Sequence, residues 1–232
     1  MNDKIKQAIL NSFELRIIAE ETQLERGKSD TGARSQVTSG NHLLPLTDAI
    51  ISDIRCDGMI DEEIYRGKND TAIPGWFRAS KKWDILITYD SNLIAAIELK
   101  SICGSYGNNI NNRAEEAIGQ SIDAQYMIKN DLLDCTVPPL FGYVMIVKEE
   151  PKSLALTKIH EPHYPVDPIF KNTSYIDRFK ILCQRLRKEG LFSAVWFVVA
   201  NPDTGEVYEP DSNLSYDKFI AEIRGKIQVF LS

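Results

Sequence analysis

Two short apolar segments joined by a turn constrain the fold of this chain more than any other feature. Residues 83–89 have the sequence WDILITY and residues 93–99 have LIAAIEL, with Asp90-Ser91-Asn92 between them. Runs rich in β-branched residues on either side of turn-forming residues are typical of a β-hairpin. The second run is apolar at every position except Glu98, which is typical of a strand buried on both faces. We therefore predict a hairpin at the centre of a sheet that is covered on both sides.

Helical and strand patterns alternate along the rest of the chain. Helices are predicted over 4–24, from an N-cap near Thr47, and over 113–130, 175–189 and 215–230. Further strands are predicted at 141–147 and 193–200, and irregular segments at 66–82, 101–112 and 149–174. This alternation predicts an α/β fold in which helices flank a mixed β-sheet.

A chain of 232 residues, 43% of them apolar, can bury the core of one large domain. We expect a single domain over 1–232, with a flexible Gly/Ser/Thr-rich arm at about 26–41. No apolar run is long enough to span a membrane, and no secretory signal is evident. The cysteines Cys56, Cys103, Cys135 and Cys183 have no CxxC spacing, so we expect buried thiols in a reducing cytoplasm.

The predicted hairpin brings two carboxylates together. If its loop has three residues, Tyr89 lies opposite Leu93, and Asp84 then lies opposite Glu98. Directly opposed side chains on one face have Cβ atoms about 4.5–5.5 Å apart. Lys100, two residues beyond Glu98, projects from the same face. A loop of two or four residues would move Asp84 off Glu98 by one position.

Facing carboxylates repel each other, and a buried carboxylate is costly unless it is paired or binds a metal. A divalent cation resolves both problems, because Mg²⁺ prefers carboxylate oxygens supplemented by water and phosphate. A neighbouring lysine could then orient a water molecule or stabilise charge on a phosphate. Asp84, Glu98 and Lys100 therefore indicate metal-dependent cleavage of a phosphodiester. A simple ion pair of Lys100 with Asp84 or Glu98 is the structural alternative.

Two further segments could contact nucleic acid. Residues 66–82 carry five basic residues against one acid, with aromatic residues interleaved, and could dock on a phosphate backbone beside Asp84. The run Gly107 to Arg113 (GNNINNR) could read bases, since asparagine pairs with adenine and arginine with guanine. The alternatives are a solvated basic loop and an ordinary turn-rich loop. Glu115-Glu116, expected in a first helical turn, is assigned a structural role.

The net charge of −6 argues against indiscriminate nucleic-acid binding. Because residues 66–82 are basic, however, the acidity lies elsewhere in the chain. The total charge therefore suggests modest non-specific affinity and does not exclude a DNA partner.

The run IPGWFRASKKWDILITYDSNLIAAIELKS, followed by GNNINNRAEEAIG, resembles the XhoI-type restriction endonucleases of the PD-(D/E)XK nuclease superfamily. The arm at 31–40, the YPVDPIFKNTSYIDRFKILCQRL block and the EPDSNLSYDKF block extend the resemblance over most of the chain. In place of the proline that usually precedes the aspartate, this chain has Trp83.

This resemblance implies a restriction-endonuclease-like core with Asp84, Glu98 and Lys100 as the catalytic set. Asp84, Glu98 and the carbonyl of Leu99 would bind Mg²⁺. A further acid from a preceding helix would be Asp48, with Asp53 as the second choice. The candidate DNA contacts are Arg78, Lys81, Lys82, Asn108, Asn109, Asn111, Asn112 and Arg113.

The resemblance also implies a type II enzyme that cuts double-stranded DNA at CTCGAG or a related palindrome. A palindromic target implies a homodimer. In its host the enzyme would need a companion DNA methyltransferase. The alternatives are a structure-specific or non-specific nuclease of the same fold, and a DNA-binding protein that does not cleave.

Overall fold

The computed structural model describes residues 1–25, 41–55, 64–67, 70–133, 135, 137–161 and 163–231. The predicted arm at 26–41 therefore lies outside the described residues except for Asn41, as do Cys56 and Lys68.

Helices and strands alternate along the described chain, as the sequence predicts. The helices are Asp3–Glu25 (α1), Leu44–Arg55 (α2), Tyr106–Lys129 (α3), Pro151–Leu154 (α4), Tyr175–Lys188 (α5) and Tyr216–Leu231 (α6). The strands are Ile64–Arg66 (β1), Ala72–Pro74 (β2), Ser80–Lys82 (β3), Ile85–Tyr89 (β4), Asn92–Ile102 (β5), Leu140–Lys148 (β6), Ala194–Asn201 (β7) and Glu206–Tyr208 (β8).

A six-stranded sheet with the order β1-β4-β5-β6-β7-β8 forms the centre of the molecule. The β5–β6 and β6–β7 pairs are parallel, and the β1–β4, β4–β5 and β7–β8 pairs are antiparallel. Strands β2 and β3 form a separate hairpin beside it. The predicted mixed sheet within an α/β fold is confirmed.

Helices cover both faces of this sheet, because the central strands are apolar on both sides. One core joins the sheet to α1, α2 and α6, with Ile9, Ile50 and Phe219 fully buried. The other joins the opposite face to α3 and α5, with Met127 and Phe179 fully buried. The long runs of buried residues in β5, β6 and β7 are thus explained by helices on either side.

Several element boundaries differ from the sequence-based prediction. Helix α3 begins at Tyr106, so the asparagine-rich run predicted as a loop forms its first turns. Helix α2 begins at Leu44, before the predicted cap at Thr47. The segment predicted to be irregular over 66–82 contains the β2–β3 hairpin.

Cys103, Cys135 and Cys183 are thiols, and Cys183 is buried as expected, whereas the other two are half-buried. None of the described helices has both the length and the apolar character needed to cross a membrane.

Candidate active site

The β4–β5 hairpin aligns Asp84 with Glu98 as predicted, but with a different turn and a β-bulge that the sequence did not predict. Its turn consists of two residues, Asp90 and Ser91, both with positive φ, and Tyr89 pairs with Asn92. The prediction of a three-residue loop is therefore wrong. A β-bulge at Ile94 inserts an extra residue into β5, and Ile85 consequently pairs with Ile97. The bulge offsets the shorter turn, so the register that places Asp84 opposite Glu98 is retained.

Asp84 lies just before β4 and is held against β5. Its backbone N–H donates to the carbonyl of Ile97 at 3.1 Å, and its Oδ2 accepts from the N–H of Leu99 at 2.6 Å. Burial and the nearby negative charge of Glu98 raise the pKa of Asp84 to about 6, although the Leu99 hydrogen bond favours the ionised form. Burial is the larger of these two causes, and the repulsion between the two carboxylates adds to it.

Glu98 is buried, with 5% of its surface exposed, and is ion-paired with two lysines. Lys81 Nζ lies 2.6 Å from Oε2, and Lys100 Nζ contacts Oε1. Burial alone would raise the pKa of Glu98, but the charges and hydrogen bonds of Lys100 and Lys81 hold it below its ordinary value. Glu98 is thus ionised at neutral pH. The Glu98–Lys100 ion pair named above as the structural alternative is present, and it is compatible with a catalytic role for both residues.

The β2–β3 hairpin delivers Lys81, and α3 anchors this hairpin through Asp123. Asp123 Oδ1 accepts from the backbone N–H groups of Trp76 and Phe77 at 2.8 and 2.7 Å, and Oδ2 accepts from Arg78 Nε at 2.6 Å. Burial opposes ionisation of Asp123, but these donors keep its pKa below the ordinary value.

The anchored loop requires glycine at position 75. A Cβ on Gly75 would come within 2.7 Å of Asp123 Oδ2 and 2.8 Å of the Arg78 carbonyl. These distances are shorter than van der Waals contact, so a larger residue would push the loop away from α3. Gly75 therefore allows the close approach of this loop to Asp123.

Two adjoining cavities open on the carboxylate cluster. A cavity of about 540 Å³ is bordered by Asp84 and the Leu99–Cys103 segment, and one of about 480 Å³ by Lys81 and Asp123. Glu98, Lys100 and Glu116 line both. The charged cluster therefore lies where the two cavities meet, accessible to a ligand from outside.

Comparison with known proteins identifies the family of the chain. A model of the family described as restriction endonuclease XhoI matches residues 22–209. The chain belongs to the XhoI restriction endonuclease family. No solved structure matches it significantly.

Three relatives illustrate the similarity within the XhoI family. The chain is 38% identical over 165 residues to the type II restriction enzyme XhoI of Xanthomonas vasicola, covering 70% of this chain and 66%, just under two thirds, of that relative. It is 32% identical over 200 residues to BstVI of Geobacillus stearothermophilus, covering 82% and 89% of the two chains. It is 33% identical over 162 residues to AbrI of Azospirillum brasilense, covering 69% and 72%.

In this XhoI-family chain the two acids predicted from the preceding helix lie in ion pairs elsewhere. Asp48 pairs with Arg66 of β1, and Asp53 accepts from Tyr216 Oη at 2.6 Å. Among the residues that the structure describes, neither lines the two cavities at Glu98. The structure therefore does not bring Asp48 or Asp53 together with Asp84.

The residues predicted to contact DNA fall into two groups. Lys82, Asn108, Asn111 and Asn112 are exposed, and the three asparagines occupy i, i+3 and i+4 positions of α3. The remaining four have polar partners within the protein: Arg78 with Asp123, Lys81 with Glu98, Arg113 with Glu116, and Asn109 with the carbonyl of Gly104. Of these four, Arg78 is also exposed.

Among the cavity-lining residues of this XhoI-family protein that sequence reasoning missed are Glu116 and His42. Glu116 lies well inside α3 and not in a first turn, because the helix begins ten residues earlier than Glu116, at Tyr106. His42 lies 2.6 Å from Ser101 Oγ, and burial together with the charge of Arg16 lowers its pKa to about 4. No local pattern marks His42, since it reaches the cavity from a distant part of the chain.

Proposed function

We propose that the protein is a type II restriction endonuclease that makes Mg²⁺-dependent, sequence-specific double-strand cuts in DNA. The observation that carries the proposal is the cluster of Asp84, Glu98 and Lys100 at the meeting point of two open cavities, in a chain of the XhoI family. The names of its relatives, all type II restriction enzymes, support the same activity.

The donor groups in the cluster fit Mg²⁺. Within the described part of the chain, no group of three or more His, Cys, Asp and Glu side chains is arranged to hold a metal. The available side-chain ligands are therefore the two carboxylates, and Mg²⁺ commonly takes one or two carboxylates and completes its shell with water and phosphate oxygens. Burial and the charge of Glu98 raise the pKa of Asp84 and disfavour its ionised form, and a bound cation would relieve this cost.

Asp84, Glu98 and the carbonyl of Leu99 would hold the ion, which would polarise the scissile phosphate. Lys100 would orient the attacking water or stabilise the negative charge that develops on the phosphate. Asp48 is retained as a candidate further acid only if DNA binding rearranges α2, because it now pairs with Arg66.

The exposed residues of the two basic and asparagine-rich segments would contact the duplex. Lys82 would bind a backbone phosphate, while Asn108, Asn111 and Asn112 would present one face of α3 to base edges. Lys81, Asn109 and Arg113 would reach DNA only by leaving their present partners, whereas the exposed Arg78 could contact a phosphate while its Nε stays bonded to Asp123.

We further infer a palindromic target, CTCGAG or a related sequence, and a homodimer that presents one site to each strand. The proposed enzyme would act in the cytoplasm beside a methyltransferase that protects the same sequence. Analytical ultracentrifugation with and without duplex tests the dimer.

Digestion of a phage genome by purified protein tests the activity. With Mg²⁺, wild type should give discrete bands whose sequenced ends share one site, and EDTA should abolish them. Lys100→Met should cut at least about 100-fold more slowly, whereas Lys226→Met, on the opposite face of the sheet, should cut normally. Smears instead of bands would indicate a non-specific nuclease, and retarded but intact DNA would indicate a binding protein.

A further inference from the structure

Both carboxylate oxygens of Glu98 are already engaged by ammonium groups. Lys81 Nζ lies 2.6 Å from Oε2, and Lys100 Nζ contacts Oε1. A cation that bonds to Glu98 must share a carboxylate oxygen with an ammonium group, which repels it, or displace that group. In the free protein, the positive charges of two lysines therefore occupy the oxygens of Glu98 that a metal would use.

Lys81 is the better placed of the two lysines to leave. Its Nζ also donates to the carbonyl of Lys82 at 3.0 Å and lies 4.3 Å from the centre of the Trp83 ring. It would thus keep a hydrogen-bond acceptor and a cation–π contact after losing Glu98. Lys100, in contrast, is two residues from Glu98 on the same strand, which keeps the two side chains close.

Bound DNA would offer Lys81 an alternative anionic partner. Lys81 lines the cavity of about 480 Å³ together with Glu98 and Lys100, beside which the scissile phosphate would bind. A phosphate in this cavity would attract the Lys81 ammonium and compete with Glu98 for it. Arrival of DNA would therefore uncover Oε2.

We propose that Lys81 is a displaceable positioning residue that occupies the Glu98 oxygen needed by the metal and releases it when a DNA phosphate binds. This inference rests on the proposed endonuclease function, which assigns the metal to Glu98 and the scissile phosphate to the adjoining cavity. Metal and DNA would then bind cooperatively, and each would strengthen the other by the same factor. Tight metal binding would be restricted to the DNA complex.

A purely structural ion pair makes the opposite prediction. If Lys81 only neutralises Glu98, its removal leaves a buried charge and lowers stability without creating a better metal site. The affinity for metal in the absence of DNA separates the two cases, because it involves no cleavage.

Isothermal titration calorimetry of the DNA-free protein with MgCl₂ measures its affinity for Mg²⁺ and tests the proposal. Lys81→Met should bind Mg²⁺ at least about tenfold more tightly than wild type, because a competing charge within a few ångströms of the ion is gone. Lys81→Arg keeps the charge and should resemble wild type. Lys82→Met, a neighbouring charge removal on the exposed side of β3, should change the affinity less than about twofold, since solvent screens it.

Cooperativity supplies a second readout. Fluorescence anisotropy of the duplex that wild type cuts is measured with Ca²⁺ as the probe cation and with EDTA. Ca²⁺ should raise the DNA affinity of wild type by a large factor. For Lys81→Met this factor should be at least about tenfold smaller, because the effect of the cation on DNA binding equals the effect of DNA on cation binding. Lys226→Met on α6, outside the proposed DNA surface, should retain the wild-type ratio of the two DNA affinities.

The outcomes separate this inference from the proposed function. If wild type cuts no DNA, the proposed function fails, and the DNA-free titration still decides the role of Lys81. If wild type cuts but Lys81→Met binds Mg²⁺ no more tightly than wild type, the inference is overturned and the function stands. Circular dichroism checks that each variant is folded. If Lys81→Met is misfolded, Lys81→Gln is used in its place. If neither neutral variant folds, Lys81 is a structural ion-pair partner and the inference is wrong.

Discussion

Asp84 Oδ2 accepts a 2.6 Å hydrogen bond from the backbone N–H of Leu99 across the β4–β5 pair. This contact fixes the carboxylate against the strand that carries Glu98 and Lys100. Burial, together with the like negative charge of Glu98, raises the pKa of Asp84. The same residue is therefore both firmly positioned and energetically costly in the free protein.

Replacing Asp84 should exchange activity for stability. Asp84→Asn keeps the shape and can still accept from Leu99, but it removes a charged metal ligand. We expect the cleavage rate in Mg²⁺ to fall at least about 100-fold. Asp90→Asn, in the exposed turn of the same hairpin, should cut at the wild-type rate. Timed digestion of a single-site plasmid measures both.

The stability gain of Asp84→Asn should depend on pH. In the folded protein the pKa of Asp84 is about 6, above the ordinary value of 3.8, so folding takes up a proton between those values. The cost to wild type is absent below about pH 4, grows as pH rises, and is complete above about pH 6. Urea unfolding in EDTA should show the variant more stable by on the order of 2–3 kcal/mol at pH 8. An equal advantage at pH 4 would contradict this explanation.

Neutralising Glu98 should damage stability as well as activity. Glu98→Gln leaves Lys81 and Lys100 without their buried counter-charge. Breaking a buried ion pair from one side costs about 3 kcal/mol or more. Urea unfolding at pH 7 should show this loss, whereas exposed Glu206→Gln on β8 should change stability by less than about 0.5 kcal/mol. Stability equal to wild type would mean that the two lysines are not held by Glu98.

Two glycine substitutions should have opposite effects. Gly75→Ala would force the loop away from Asp123 and Arg78, costing about 1–3 kcal/mol and displacing Lys81 from Glu98. Gly225→Ala, inside α6 with nothing within 4 Å of the added Cβ, should stabilise by about 0.5–1 kcal/mol. Thermal unfolding ranks the two variants against wild type. If Gly75→Ala were more stable than wild type, the space between this loop and Asp123 would have to accommodate a methyl group without displacement of the loop.

The exposed lysine on β3 should act through the phosphate backbone. Lys82→Ala should weaken binding to target and non-target duplexes alike and reduce the slope of log K against log[salt] by about one. Filter binding between low and moderate salt measures the slope, with Lys226→Ala on α6 as the control. A loss confined to the target duplex would instead assign Lys82 to base recognition.

The hairpin register shows why local prediction can be right for an incomplete reason. The apolar runs and the turn residues were enough to predict two paired strands with Asp84 near Glu98. The turn is shorter than assumed, and the bulge at Ile94 restores the alignment. No short-range pattern marks this bulge, because it depends on how β5 fits between β4 and β6.

Charged residues proved harder to place than apolar ones. Lys81 and Lys82 are adjacent and chemically identical, yet one is ion-paired in the interior and the other is exposed. Alternation along β3 predicts that they point in opposite directions, but it does not say which one faces Glu98. That choice follows from the attachment of the hairpin to α3 through Asp123.

Apolar periodicity, turn chemistry and the position of Glu98 within an apolar strand determined the fold class, the paired strands and the acidic cluster, because these features depend on neighbours close in sequence. The tertiary structure alone decided that Lys81 and Glu116 join the cluster, that His42 lines its cavity, and that Asp48 pairs elsewhere. These contacts join segments far apart in the chain, and their geometry is set by how helices and hairpins pack around the sheet.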